Sequence, residues 1–153
     1  MKYPLHFSVN GERYDVEVEA HHSLVDVLRN EIGLMGTKVG CEDGRCGCCT
    51  VILDGKLVKS CMALALQANG KEVQTIEGVG TAENLHPIQE AFLDNGAVQC
   101  GYCTPAMILS VKSLLDENPH PTEEDIRRAL KGVLCRCGTY THVTRAVLSV
   151  AGK

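Results

Sequence analysis

The sequence predicts an α+β chain built in two successive parts, a small sheet with one helix and then a group of helices. Three observations carry this expectation. Residues 1–77 contain runs suited to strands, punctuated by Asn10-Gly11 and Asp54-Gly55. Residues 81–153 switch to apolar positions at three- and four-residue steps, the period of a helix with one buried face. Of the nine cysteines, five precede the Gly78-Val79-Gly80 segment and four follow it, so each part holds a set large enough to bind a metal group.

The elements follow in order. Residues 3–9 and 13–18 read as strands joined at Asn10-Gly11, where both turn positions favour positive φ and so specify a hairpin. Ser23 with Asp26 starts a helix over Leu24, Val27, Leu28 and Ile32, and Gly33 stops it. Residues 50–53 and 56–58 flank Asp54-Gly55 as a second hairpin, and residues 73–76 form one more short strand. The glycines at 78 and 80 mark the boundary between units 1–77 and 81–153. Beyond it, Asn84 caps a helix with Pro87 in its first turn that runs over Ile88, Ala91 and Phe92 and ends near Gly96. Thr104-Pro105 begins a second helix through Ile108, Val111 and Leu115, which Pro119 and Pro121 terminate. Thr122 with Asp125 begins a third over Ile126, Ala129, Leu130 and Val133, and residues 141–150 form a fourth. The second unit therefore reads as a four-helix bundle.

Eight cysteines fall into two sets of four. Cys41, Cys46, Cys49 and Cys61 read C-x4-C-x2-C-x11-C, the plant-type ferredoxin spacing for a [2Fe-2S] cluster. Cys100, Cys103, Cys135 and Cys137 read C-x2-C-x31-C-x-C, two close pairs that folding must bring together. An odd total, no secretory signal and the chain length all argue against a disulfide framework. Zinc is the stronger rival for the second set, because C-x2-C is a common half of a structural zinc site; against it, only Arg136 separates Cys135 from Cys137. In the first set, GCEDGRCGCCTV (residues 40–51) places Gly40, Gly44 and Gly47 where positive φ lets the backbone curl around a ligand. Successive N–H groups then point at the sulfurs as in an anion-binding nest. The ninth cysteine, Cys48, reads as a small buried filler with a free thiol.

Composition excludes several classes. Each unit holds only about 75 residues, a size at which a metal group commonly supplements a small core. With 15 basic against 19 acidic residues the formal charge is -4, which provides no basic field for nucleic acid. Residues 1–20 alternate polar and apolar side chains, so neither a signal peptide nor a membrane span is expected, and the location expected is cytoplasmic. The histidines, His6, His21, His22, His86, His120 and His142, are scattered and pair with no nucleophile in sequence.

Taken together, GCEDGRCGCCTV, QCGYCTPAM and LCRCGTY resemble, in order and separation, the small iron-sulfur subunit of the xanthine oxidase family of molybdenum hydroxylases. Its relatives include the small subunits of bacterial aldehyde, isoquinoline, carbon monoxide and nicotinate dehydrogenases and of 4-hydroxybenzoyl-CoA reductase. The resemblance covers almost the whole chain. It implies a β-grasp, plant-type ferredoxin domain followed by a four-helix bundle, each with one [2Fe-2S] cluster. By the same resemblance Cys41, Cys46, Cys49 and Cys61 hold the outer cluster, and Cys100, Cys103, Cys135 and Cys137 hold the inner one. Gln99 then hydrogen-bonds a pterin, with Cys137 beside it. The implied partners are a large subunit carrying molybdopterin in its cytosine dinucleotide form and a medium subunit carrying FAD, in a dimerised complex. The chain's implied role is an oxidoreductase subunit that relays electrons, with substrate turnover in its partner.

Three departures separate the chain from the pattern of many members. Cys135-Arg136-Cys137 is followed by Gly138-Thr139 rather than Thr-Gly, an order seen in members resembling isoquinoline oxidoreductase, some of which lack the flavin subunit. Ala106 and Cys48 stand where glycine and a smaller residue are usual. Two other classes stay open beside this one: a free-standing two-cluster ferredoxin-like carrier, and a zinc-stabilised interaction module.

Overall fold

Five strands form one mixed sheet in the computed structural model, which describes residues 1–152. Strands β1 (Lys2–Val9) and β2 (Glu12–Glu19) pair antiparallel along their whole length. Their turn takes φ 52° at Asn10 and 82° at Gly11, the two positive angles that an Asn-Gly hairpin favours. Strands β3 (Thr50–Leu53) and β4 (Lys56–Lys59) repeat the device, with φ 46° at Asp54 and 77° at Gly55. The last strand, β5 (Glu72–Gln74), lies between the hairpins, parallel to β1 and antiparallel to β3, giving the order β2-β1-β5-β3-β4.

The single helix of this half is shorter than its apolar spacing predicts. Helix α1 (Leu24–Asp26) begins at a Ser23–Asp26 capping box, then widens into a π-helical turn over Val27–Glu31. The Ile32 N–H donates to the Val27 carbonyl, and Gly33 leaves the turn at φ 85°. The widening keeps Leu24, Val27 and Leu28 in the sheet core with Leu5, Phe7, Val9, Val18, Val51 and Val73. The chain then turns into the cysteine-bearing loop.

Four more helices occupy the second half: α2 (Pro87–Asp94), α3 (Thr104–Glu117), α4 (Glu123–Leu130) and α5 (Tyr140–Val150). The described residues thus form five α-helices. Helix α2 packs on α5, and α4 on both α3 and α5. Their shared core contains Ile88, Phe92, Met107, Val111, Ile126 and Val147. One expected cap is displaced. His86 caps α2, its Nδ1 accepting from the Ile88 N–H at 3.2 Å while Gln89 Oε1 accepts from the His86 N–H at 2.9 Å. Asn84 instead closes a tight loop with Thr81. Thr122 caps α4 through a reciprocal box with Asp125, as its spacing predicts.

The two cores meet at the cysteine loops. Cys48 belongs to the helical core although it lies in the sheet half of the sequence, and Cys46, Ile76 and Val79 pack against the same core.

Candidate metal centres

The first cysteine loop runs between the π-helical turn and β3, and β4 delivers Cys61 back to it. Two straps hold that return: the Cys49 carbonyl accepts from the Ser60 N–H at 3.3 Å and from the Ser60 hydroxyl at 2.6 Å. Ser60 is fully buried. Backbone N–H groups turn toward sulfur along the loop, with Cys46 N at 3.2 Å from Cys41 Sγ and Cys48 N at 3.5 Å from Cys46 Sγ. Of the three glycines expected at positive φ, Gly44 (81°) and Gly47 (69°) adopt it, together with Glu42 (58°). Gly40 does not; it is needed for space, because a Cβ there would lie 2.6 Å from Cys46 Sγ. That absent side chain leaves a cradle on the sulfur side of the loop.

Helix starts and one turn assemble the second set. Cys103 is the N-cap residue of α3, and Cys135 and Cys137 lie in the turn before α5. All four cysteines line one small concavity together with Ala97, Gln99, Gly101, Thr104 and Thr139. Cys103 and Cys135 form its buried side, and Cys100, Cys137 and Gln99 its exposed side. The rim stands open, with Gln99, Cys100, Cys137 and Gly138 all exposed.

Hydrogen bonds set the thiol chemistry unevenly. Burial works against ionisation of Cys135, but the Thr139 hydroxyl at 3.2 Å and the Thr139 N–H at 3.4 Å outweigh it and bring the thiol down to about 7. Burial pushes Cys103 up to about 12, helped by its hydrogen bond to Cys135. Cys61 rises to about 11, again mainly through burial and then through Cys49. Cys48 is pushed up to about 12 by burial and by Cys46, and its thiol faces the Leu134 carbonyl at 3.8 Å. A thiol coordinated to a metal is deprotonated outright, so these values belong to the uncoordinated side chains.

All nine cysteines are unpaired in the structure. Among the described residues, no three His, Cys, Asp or Glu side chains gather tightly enough to hold a single metal ion. Neighbouring thiols act on one another within each set: Cys41 favours the Cys46 thiolate, while Cys49 raises Cys61 and Cys135 raises Cys103. A set of four thiols suits a two-iron group, in which each iron takes two of four thiolates.

The two centres are joined. The Leu134 N–H donates to the Cys46 carbonyl at 2.7 Å, and the Tyr102 hydroxyl donates to the Val39 carbonyl. Gly47 packs so closely on the 132–133 backbone that a Cβ would lie 1.7 Å from the Gly132 oxygen. Sequence reasoning passed over Tyr102, Thr139, Ser60 and Lys59. Each directly precedes a cysteine or lies within four residues of one, but only folding shows what it touches.

Known proteins show the same organisation. Residues 7–76 match the family described as a 2Fe-2S iron-sulfur cluster binding domain, and residues 75–148 match the [2Fe-2S] binding domain. The nicotine 6-hydroxylase small subunit of Paenarthrobacter nicotinovorans is 46% identical over 145 residues, covering 95% of this chain and 87% of the relative. The chain belongs to the small iron-sulfur subunits of the xanthine oxidase family of molybdenum hydroxylases. Within that family, the aldehyde oxidoreductase of Megalodesulfovibrio gigas is 47% identical over 147 residues, and the match spans 94% of this chain but 16% of that protein. The solved structure of quinoline 2-oxidoreductase from Pseudomonas putida 86 superposes with a TM-score of 0.94 at 39% identity, covering 98% of this chain and 93% of the matched one. Family members of this kind are iron-sulfur subunits of oxidoreductase complexes. No helix among the described residues is long and apolar enough to cross a membrane.

Proposed function

We propose that this chain carries two [2Fe-2S] clusters, an outer one on Cys41, Cys46, Cys49 and Cys61 and an inner one on Cys100, Cys103, Cys135 and Cys137. The clusters supply one-electron carriers between a molybdopterin site on a large partner subunit and a flavin subunit or other acceptor. The chain's residues hold the thiolates in place, point N–H groups at them and join the two loops. Residues 1–77 form the β-grasp, ferredoxin-type unit, and residues 81–153 the four-helix bundle unit.

One observation carries the reading: the second cysteine set lines a single concavity whose open rim is Cys100, Cys137 and Gln99. A carrier that hands electrons to a cofactor on another chain needs one side of its site at the surface, and this is that side. Gln99 has no hydrogen-bond partner among the described residues, so its amide is available to a pterin presented by the large subunit, with Cys137 beside it. The partner reading includes molybdopterin in the cytosine dinucleotide form, FAD on a medium subunit, a dimerised complex and a cytoplasmic location. The relatives' names, a nicotine 6-hydroxylase, an aldehyde oxidoreductase and a quinoline 2-oxidoreductase, support a partner that acts on substrates of those kinds.

Metal analysis of the complex that co-purifies with this chain under anaerobic conditions tests the proposal. About four iron atoms with about one molybdenum per copy are expected, two irons for each cysteine set. Iron without molybdenum points to the free-standing carrier, and zinc in the second set removes the inner half of the relay.

A further inference from the structure

Lys59 ends β4, opposite Thr50 on β3, and stands two residues before Cys61. Its side chain does not run out to solvent. The half-buried ammonium donates to the Gly44 carbonyl at 2.5 Å, at the crest of the first cysteine loop. Gly44 takes φ 81°, and its N–H favours the Cys61 thiolate, so Lys59 grips the loop residue that acts on the cysteine that β4 delivers. Arg45 on the same loop is already engaged with Asp43 through both Nε and Nη2. None of the ion pairs among the described residues involves Lys59.

We propose that Lys59 is a positioning residue of the outer cysteine set, which locks the Gly44 turn onto Cys61 and raises the reduction potential of that set with an ammonium charge unmatched by any carboxylate. The inference rests on reading the first set as a [2Fe-2S] site. Four thiolates around two ferric ions and two sulfides leave a net charge of about -2, and an added electron makes it about -3. A nearby cation therefore favours the reduced form, and net charge and hydrogen bonds to sulfur are among the quantities that set such potentials. Lys59 acts on both. The second set has no counterpart: its turn carries Arg136, which is exposed and makes no hydrogen bond or ion pair within the described residues.

The test is a redox titration of the native complex followed by electron paramagnetic resonance, which resolves the two clusters, for wild type and for Lys59→Met, Lys59→Gln and Lys59→Arg. Lys59→Met is expected to lower the outer potential so that, at the wild-type midpoint, the oxidised-to-reduced ratio rises about tenfold, equivalent to about 59 mV for one electron. Lys59→Gln keeps a donor but no charge and shifts the same way; Lys59→Arg returns toward wild type. The inner cluster, in the same sample, stays at its own potential. Outer potentials equal to wild type in the Met and Gln variants, with both signals present, overturn the proposal. Should Lys59→Met fail to retain the outer cluster, the Gln and Arg variants decide in the same way. A wild-type complex without two iron-sulfur signals refutes the cluster reading itself and is distinguishable from either result.

Discussion

Replacing Gly47 with alanine tests whether the two cysteine loops are held together by backbone contact. The new Cβ would lie 1.7 Å from the Gly132 oxygen, 2.8 Å from its carbonyl carbon and 3.2 Å from Val133 Cα, all main-chain atoms of the helical half. Ordinary contact begins at 3.4 Å, so the loops must part by roughly 1.7 Å at their closest point. Half that movement already stretches the 2.7 Å bond from Leu134 N to the Cys46 carbonyl beyond hydrogen-bonding range. Alanine at φ 69° adds left-handed strain, roughly 1–2 kcal/mol. The lost hydrogen bond adds about 1 kcal/mol and the disrupted packing around Cys48 and Val133 about 1–2 kcal/mol. The sum is about 3–5 kcal/mol, a fall in melting temperature of roughly 10 °C for a chain of this size. Thermal unfolding of the iron-loaded chain, followed by far-ultraviolet circular dichroism and by cluster absorbance, measures it. Gly11→Ala is the control, since Gly11 has φ 82° and no atom within 4 Å of its Cβ position, leaving backbone strain alone. If Gly47→Ala and Gly11→Ala melt together, the clash and the junction it protects play no part in stability.

Two further outcomes follow from groups the chain buries. Asn10→Ala removes both bonds to Thr75, the Nδ2 donation to Oγ1 at 2.8 Å and the acceptance from the Thr75 N–H at 2.9 Å. With Thr75 fully buried, the stranded N–H and the strained alanine should together destabilise by about 2–4 kcal/mol; a thermal midpoint equal to wild type would refute this. Cys48 supplies a pH dependence. Its folded thiol is raised to about 12, above the ordinary 9.0, because burial and the Cys46 charge disfavour the thiolate. Its contribution to stability is therefore complete below about pH 9 and is lost as the pH rises toward 12, at up to about 1.4 kcal/mol per pH unit. Cys48→Ala should flatten that alkaline limb of the melting profile, and an unchanged slope would show that Cys48 ionises freely.

Much of the fold was readable because its signals are local. Asn10-Gly11 and Asp54-Gly55 dictate their hairpins through φ preferences confined to two residues each, and Thr122 with Asp125 announces α4 through a cap closed within four residues. The spacing of the first cysteines is equally local, since three of the four lie on one loop. Periodicity alone, however, does not separate a regular helix from the π-helical turn over Val27–Glu31, because both keep Val27 and Leu28 on the buried side. Asn84 and His86 compete for the same helix start, and position relative to Pro87 decides for His86.

By itself, the sequence determined the α+β class, the order of the elements and the division of eight cysteines into two sets, all of which depend on residue types at short separations. Tertiary structure alone decided that Cys100, Cys137 and Gln99 form an open rim, and that Leu134, Tyr102 and Gly132 of the helical half fasten the first cysteine loop. Those partners are separated by more than sixty residues. Their contacts run largely through backbone carbonyls and N–H groups that every residue possesses, so no side-chain pattern records them until the chain has folded.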